Sequence, residues 1–234
     1  MILGLNQPYF IPYIGYWQLI SSVDVFVIAD DYNYIMRGWV NRNRILIGGE
    51  TSFFNVELCD ASQNKKINEI EIADIPLEKK YRTLRCAYGK APHFDDGMAL
   101  MERIYSFEGK NLADFLANSM REVCSFLGIT TKLVRSSDFA GNSEYKREYR
   151  IYDIAKRLGA DSYYNAIGGQ ELYSYDEFKA RGIKLAFIKT GDVRYKQFKN
   201  EFIPSLSILD VIMFCSVDEI KEMLGQYTLL FKNE

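Results

Sequence analysis

The densest run of chemically capable side chains is Arg37-Gly38-Trp39-Val40-Asn41-Arg42-Asn43-Arg44, with three arginines and two asparagines in eight residues. Arginine grips phosphate with a planar, two-pronged fork, so this segment suits a clamp for a phosphorylated ligand. A surface loop with neutralising partners is the alternative. Asp30 and Asp31 stand just before it, at the end of an apolar run. Two such acids are costly to bury unpaired.

A second cluster is Gln7-Pro8-Tyr9-Phe10-Ile11-Pro12-Tyr13-Ile14-Gly15-Tyr16-Trp17. It joins a first strand to a first helix. In open α/β sheets ligands bind beyond the carboxyl ends of strands, where a helix N-terminus offers free N–H groups to anions. Gly15 in the first helical turns costs about 1 kcal/mol relative to alanine. Close approach of a phosphate or base is one use for it; packing among five aromatics is the other. The third cluster comprises Tyr163–Gly169 and the stretch Phe198–Asp210, which contains Pro204-Ser205-Leu206-Ser207-Ile208-Leu209-Asp210. Asp210 reads equally as a helix N-terminal residue or a site acid. If the clusters share a pocket, the side chains of Gln7, Tyr13, Arg42 and Asp210 converge at one edge of a sheet.

Other chemistries lack their residues. His93 is the only histidine, in a turn context that suits a structural or surface role. No GxxxxGK[ST] or GxGxxG is present. Cys59, Cys86, Cys124 and Cys215 form no CxxC pair, so they read as reduced, buried thiols rather than a zinc or redox site. Net charge is −2 with both signs interspersed, which argues against nucleic acid and anionic membranes as partners. No signal peptide or membrane-length apolar run is seen, so the expected location is the cytoplasm.

The positioning elements follow from periodicity. Ile2–Leu5 and Val23–Ile28 read as strands around a helix at Tyr13–Ser22, a unit that implies a right-handed crossover. Arg44–Ile47 and Thr51–Leu58 read as a hairpin about Gly48-Gly49. Helices are expected at Leu77–Tyr88, Ala99–Ser106, Leu112–Leu127 and Ser143–Leu158. Strands are expected at Lys132–Arg135, Asp161–Ala166 and Lys184–Ile188, with a turn at Gly168-Gly169. Ser174 with Glu177 and Ser216 with Glu219 fit capping boxes that open short helices. The chain, residues 1–234, reads as one α/β, Rossmann-like domain: a mostly parallel sheet with flanking helices.

These clusters, in this order, resemble the WbqC-like family, whose pattern runs Q-P-x-F-x-P-W-x-G-Y, then R-G-W-x-N-R-N, then L-S-I-x-D. The matching residues are Gln7, Pro8, Phe10, Pro12, Gly15 and Tyr16; Arg37, Gly38, Trp39, Asn41, Arg42 and Asn43; and Leu206, Ser207, Ile208 and Asp210. Tyr88-Gly89-Lys90-Ala91-Pro92 also fits. Tyr13 departs from the family's Trp, and Asn165–Gly169 from its Ser-Gly turn. The resemblance implies bacterial surface-polysaccharide (O-antigen, lipopolysaccharide) biosynthesis. The implied reaction is transfer of glycine to the amino group of a nucleotide-linked amino sugar. The first block is also similar in position to the His-x-Gly-His of nucleotidyltransferase-like enzymes such as pantothenate synthetase, which adenylates a carboxylate before an amine attacks.

On that analogy ATP activates the carboxylate. Tyr13 and Tyr16 then hold phosphates, Arg42 and Arg44 stabilise the leaving group, and Asp30 or Asp31 holds Mg²⁺. Asp210 is a further catalytic position. Gln7 and Asn41 orient the donor, and Pro8, Phe10, Gly15, Arg37, Trp39 and Asn43 complete the substrate or nucleotide site. The second reading is a non-catalytic protein of the same pathway that binds a nucleotide sugar or a partner enzyme, favoured by the absence of a good general base. Oligomeric state is left open by the sequence.

Overall fold

The apolar segments of this sequence assemble around a central six-stranded sheet. The computed structural model describes residues 1–199 and 201–231. The strands are β1 (Ile2–Asn6), β2 (Val25–Ile28), β3 (Arg42–Ile47), β4 (Glu50–Asn55), β5 (Leu58–Cys59), β6 (Glu71–Ile72), β7 (Lys132–Arg135), β8 (Ser162–Ala166), β9 (Lys184–Thr190) and β10 (Tyr227–Leu230). The helices are α1 (Ile14–Ser21), α2 (Leu77–Tyr88), α3 (Phe94–Tyr105), α4 (Leu112–Leu127), α5 (Glu148–Leu158), α6 (Tyr175–Ala180), α7 (Ile208–Phe214) and α8 (Val217–Leu224). The large sheet runs β10-β9-β8-β1-β2-β7. All its neighbours are parallel except β10, which is antiparallel to β9.

The chain starts in the middle at β1, moves out through β2 to β7, then returns to the other side of β1 for β8 and β9. That is the Rossmann-like winding, with its reversal between β1 and β8. Strand alternation divides the core into two layers. Leu3, Leu5, Val25 and Val27 pack against Ile151 and Ile154 of α5 and Phe178 of α6. Phe26 and Ile28 face the opposite layer with Tyr16, Trp17 and Leu19 of α1. Helices on both faces leave no wet side, which is why β2 reads as an unbroken apolar run.

Most expected elements are present, and α2, α4 and β7 have the expected bounds. The amide N–H of Asp114 donates to the Asn111 side chain at the start of α4, and Gly128, at φ 69°, ends it. The helix expected from residue 143 starts only at Glu148. Arg147 has φ 50°, and a short 3₁₀ turn over Asn142–Glu144 precedes it. Conversely, α3 starts at Phe94, five residues ahead of the expected Ala99, because Gly97 sits inside it. A Cβ there would lie 2.6 Å from the Met213 sulfur, so the glycine permits close packing of α3 on α7. The expected Gly168-Gly169 turn is a 3₁₀ stretch, Ile167–Leu172. Strands β5, β6 and β10 are short and give little periodicity to read.

All four cysteines are free; Cys124 and Cys215 are buried, but Cys59 and Cys86 are exposed, against the expectation of four buried thiols. Burial pushes both buried thiols up to about 12. Among the described residues no helix is long and apolar enough to cross a membrane.

Asp30 and Asp31 leave the end of β2 and serve as a brace between elements. Both Asp31 oxygens accept from the Arg150 guanidinium of α5 at 2.6 Å, under the Tyr32 ring, and one also accepts from the Ser136 hydroxyl. Arg150 Nε donates to Asn142 at 2.9 Å. Asp30 accepts from the Ser137 amide, the Ser137 hydroxyl and the Ser136 hydroxyl at 3.0, 2.7 and 3.1 Å. Ion and partner are both buried, so removing one leaves an uncompensated charge. Arg150→Met is expected to lower unfolding free energy by about 3–5 kcal/mol in urea titrations. The double variant Asp31→Asn/Arg150→Met is expected to recover part of that loss. Equal stability of Arg150→Met and the parent chain would contradict the brace.

Candidate functional site

The loop between β1 and α1 has two prolines and no regular structure, yet Phe10, Ile11 and Pro12 are buried. Its backbone groups must find partners elsewhere. The Phe10 amide donates to the Val40 carbonyl at 3.0 Å, and the Phe10 carbonyl accepts from the Asn43 side chain at 3.1 Å. The Ile11 carbonyl accepts from the Ser207 hydroxyl at 2.6 Å. The Pro12 carbonyl accepts from the Ile208 amide and the Trp17 indole, both at 2.9 Å. The Ser207 amide donates to Arg44 O at 2.9 Å. The first two sequence clusters and the Ser205–Asp210 part of the third therefore do meet beside the carboxyl end of β1, while Asn165 of the Tyr163–Gly169 part bonds instead to the Tyr163 and Tyr173 hydroxyls.

Where they meet, Tyr9, Pro12, Tyr13, Trp39, Asn43, Arg44 and Ser205 line a cavity of about 230 Å³. The Tyr13 ring and Thr190, at the carboxyl end of β9, crowd the same space beside Gly15, which puts the cavity over the binding edge of the parallel strands. Burial raises the pKa of Tyr13 and Tyr9, and each stays a neutral hydroxyl near pH 7. Arg44 supplies the cation. Its Nη2 donates to the Ser205 carbonyl at 3.0 Å, its guanidinium carbon lies 5.6 Å from the Trp39 ring centre, and its Nε is buried without a partner. A buried, unused donor on a fixed guanidinium is a feature that an anionic ligand would satisfy. Ser205, at φ 58°, presents its carbonyl from a strained backbone.

Of the residues expected from sequence, Tyr13, Trp39, Asn43 and Arg44 share this cavity, and Tyr9, Pro12 and Ser205 join them. Gln7 does not line it: its amide nitrogen donates to Asn33 O at 3.1 Å, while its buried Oε1 has no partner. The other expected residues do different work. Tyr16 is in the core and donates to Gln7 O at 2.7 Å, so it holds the loop and faces no ligand. Phe10 is fully buried among Phe54, Tyr105 and Phe115, and Pro8 is buried too. Gly15 is required by packing: a Cβ there would lie 2.4 Å from Thr190 Oγ1 and 2.5 Å from the Tyr13 ring. Asn41 joins the Tyr34 hydroxyl to the Val56 carbonyl. Arg37, at φ 60°, forms the turn before β3 and is exposed. Arg42 donates to the carbonyls of Gly38 and Arg37 and lies 4.2 Å above the Phe53 ring, so it fastens that turn.

Mg²⁺ does not fit Asp30 and Asp31. Their oxygens already accept from Arg150, Ser136 and Ser137, and among the described residues no group of three or more acids, histidines or cysteines could hold an ion. Asp210 also lies away from the cavity. It is fully buried behind it and accepts from Tyr88 and Tyr195 hydroxyls at 2.7 and 2.6 Å and from Gln197 at 3.0 Å. Tyr88 in turn accepts from the Leu46 amide of β3, and Gln197 bonds both the amide and the carbonyl of Ile203. Asp210 thus fixes β3 and the segment leading to Ser205 together, as a positioning residue. Sequence reasoning named Tyr88 only within a matching block, without a role, and missed Tyr195 and Gln197; nothing in their spacing points at one carboxylate.

A family model described as the WbqC-like protein family matches residues 7–222. The uncharacterized protein Rv1507c of Mycobacterium tuberculosis is 30% identical over 214 residues, which is 90% of this chain and 92% of that protein. No solved structure matches.

Burial raises the Asp210 pKa above the ordinary carboxylate value, and the hydrogen bonds from Tyr195, Tyr88 and Gln197 draw it back only in part. The folded chain therefore holds this proton to higher pH than the unfolded chain. The resulting stability is full below the unfolded pKa and is lost as pH rises through the folded one. Asp210→Asn cannot titrate, so the stability difference between parent and variant is expected to shift toward the variant as pH climbs from the acid side of the carboxylate range to neutrality. Urea unfolding at a series of pH values measures this; a difference constant with pH would refute it.

Proposed function

The chain belongs to the WbqC-like protein family, and we propose that it is a transferase of bacterial surface-polysaccharide biosynthesis. In this reading it forms an amide between an amino acid such as glycine and the amino group of a nucleotide-linked amino sugar. The observation that carries the reading is Arg44: a guanidinium with an unpartnered buried donor, in an aromatic-walled cavity at the carboxyl edge of a parallel sheet. Arg44 takes the phosphate or leaving-group charge. Tyr9 and Tyr13, held neutral by burial, donate hydrogen bonds to the acyl oxygen or to sugar hydroxyls. Asn43 holds the cavity's floor to Phe10.

Activation of the carboxylate by ATP makes an acyl adenylate and releases pyrophosphate. Attack by the neutral amine then forms the C–N bond, breaks the C–O bond to AMP, and passes one proton to solvent. Among the described residues the cavity wall holds no carboxylate or imidazole, so in this reading the amine arrives already deprotonated. That same lack favours a second reading, a non-catalytic protein that binds the nucleotide sugar.

Incubation with ATP, Mg²⁺, a panel of amino acids and an amino-sugar nucleotide separates the two. Pyrophosphate release with a new amide by mass spectrometry supports the transferase; tight nucleotide-sugar binding without either product supports the binder. In both readings Arg44→Ala is expected to weaken nucleotide-sugar affinity by about 2–4 kcal/mol, roughly 30- to 1000-fold. Arg44→Lys should restore only part, because an ammonium lacks the planar fork. Arg42→Ala should lower the melting temperature and leave affinity per folded molecule unchanged. Calorimetric titration and thermal melts on the three variants check this, and wild-type affinity in Arg44→Ala would remove the assignment.

A further inference from the structure

The cavity of about 230 Å³ is smaller than the roughly 300–1,000 Å³ that buries a whole drug-sized ligand, so most of a sugar nucleotide must lie outside it. What adjoins it is the outer face of the β3–β4 hairpin. Arg44 and Phe53 are paired across the two strands, and Arg42 projects from the same face two residues away. Trp39 lies over this face with its ring centre 6.2 Å from that of Phe53. The result is a row of alternating cations and rings: Arg42 at 4.2 Å over Phe53, Phe53 beside Trp39, and Arg44 at 5.6 Å from Trp39. Trp39 is 39% and Phe53 49% exposed, and Ile35 and Met36 in the adjoining turn are 52% and 50% exposed.

We infer that this row is a nucleoside-diphosphate platform, with the base stacked on Trp39 and Phe53 and the diphosphate leading to Arg44 at the cavity. The inference rests on the reading of Arg44 as the anion site. Large aromatic faces left in solvent are normally avoided, and here they are continuous with the half-buried Arg44 through Trp39, which belongs to both. Every base offers a π-face, and Arg44 at the cavity end of the row matches the charge of the attached phosphates. The nucleoside diphosphate can come from the sugar nucleotide or from ATP; the chemistry recognised is shared.

The chain has two tryptophans, and Trp17 is fully buried, so emission that changes with ligand and disappears in Trp39→Phe reports on the platform. The probes are UDP, UDP-N-acetylglucosamine, ADP, ATP, inorganic pyrophosphate and glucosamine. Quenching of Trp39 by the nucleotides, and none by pyrophosphate or glucosamine, is expected; tighter binding of the uridine or the adenosine pair identifies the source. Trp39→Leu and Phe53→Leu should each weaken nucleotide binding about 5- to 150-fold by calorimetry, while Phe53→Tyr retains it. Both positions are exposed, so thermal melts should be nearly unchanged. Nucleotide binding that leaves Trp39 emission unaltered and survives both leucine variants overturns the platform while Arg44 stands. Absence of binding by every nucleotide overturns both. A change in sedimentation with unaltered affinity in the leucine variants shows the patch to be a self-association surface and also overturns the platform.

Discussion

A buried irregular loop cannot satisfy its own backbone, and in this protein that constraint shapes everything around the candidate site. Residues 7–13 carry two prolines and pass beneath the surface, so neither a helix nor a ladder absorbs their carbonyls. The partners come from three distant places. Tyr16 and Trp17 reach back from α1, Asn43 reaches across from β3, and Ser207 and Ile208 arrive from the start of α7. An unpaired buried peptide group costs roughly as much as a lost hydrogen bond. Closing the loop therefore fixes the hairpin and the segment before α7 with the same bonds.

The cavity is a by-product of that closure, and its wall is steadied from behind. Asp210 gathers Tyr88, Tyr195 and Gln197, and through them β3 and the stretch leading to Ser205. Arg44 stands between these two supports, with Ser205 on one prong and Trp39 alongside. Preorganisation of this kind is what an electrostatic site requires, since donors fixed beforehand need no rearrangement when charge arrives. At the end of the neighbouring strand β2, the Asp31–Arg150 pair fixes α5, and the acids there are already committed.

The family motif divides accordingly. Many of its residues, Phe10, Gly15, Tyr16, Asn41, Arg42, Ser207 and Asp210 among them, hold the loop, the turn or the knot. Trp39, Asn43 and Pro12 also touch the cavity, while Arg44 and Tyr13 lie outside the matched positions of the motif. A motif can thus mark a site by building its frame, with the ligand-facing groups set into that frame.

The order and type of the main elements were legible in the sequence because they depend on local periodicity. Val25–Ile28 is apolar on both faces, the apolar residues of α4 recur at helical spacing, and Asn111 and Gly128 bound that helix through short-range backbone geometry. The clusters that meet were also legible, as departures from ordinary surface composition. Which arginine faces a cavity was not. Arg42 and Arg44 lie on the same face of one strand, and only the packing of Trp39, the turn at Gly38 and the approach of Ser205 assign one to a turn and the other to a cavity wall. Gly15 shows the same limit: its need for space was visible, but the occupant of that space, Tyr13 against Thr190, comes from elements far apart in the chain. The sequence by itself determines local conformation and the inventory of polar groups that must be satisfied. Only the tertiary structure decides which distant group satisfies each one, because a hydrogen bond or an ion pair depends on a separation in space that sequence distance does not encode.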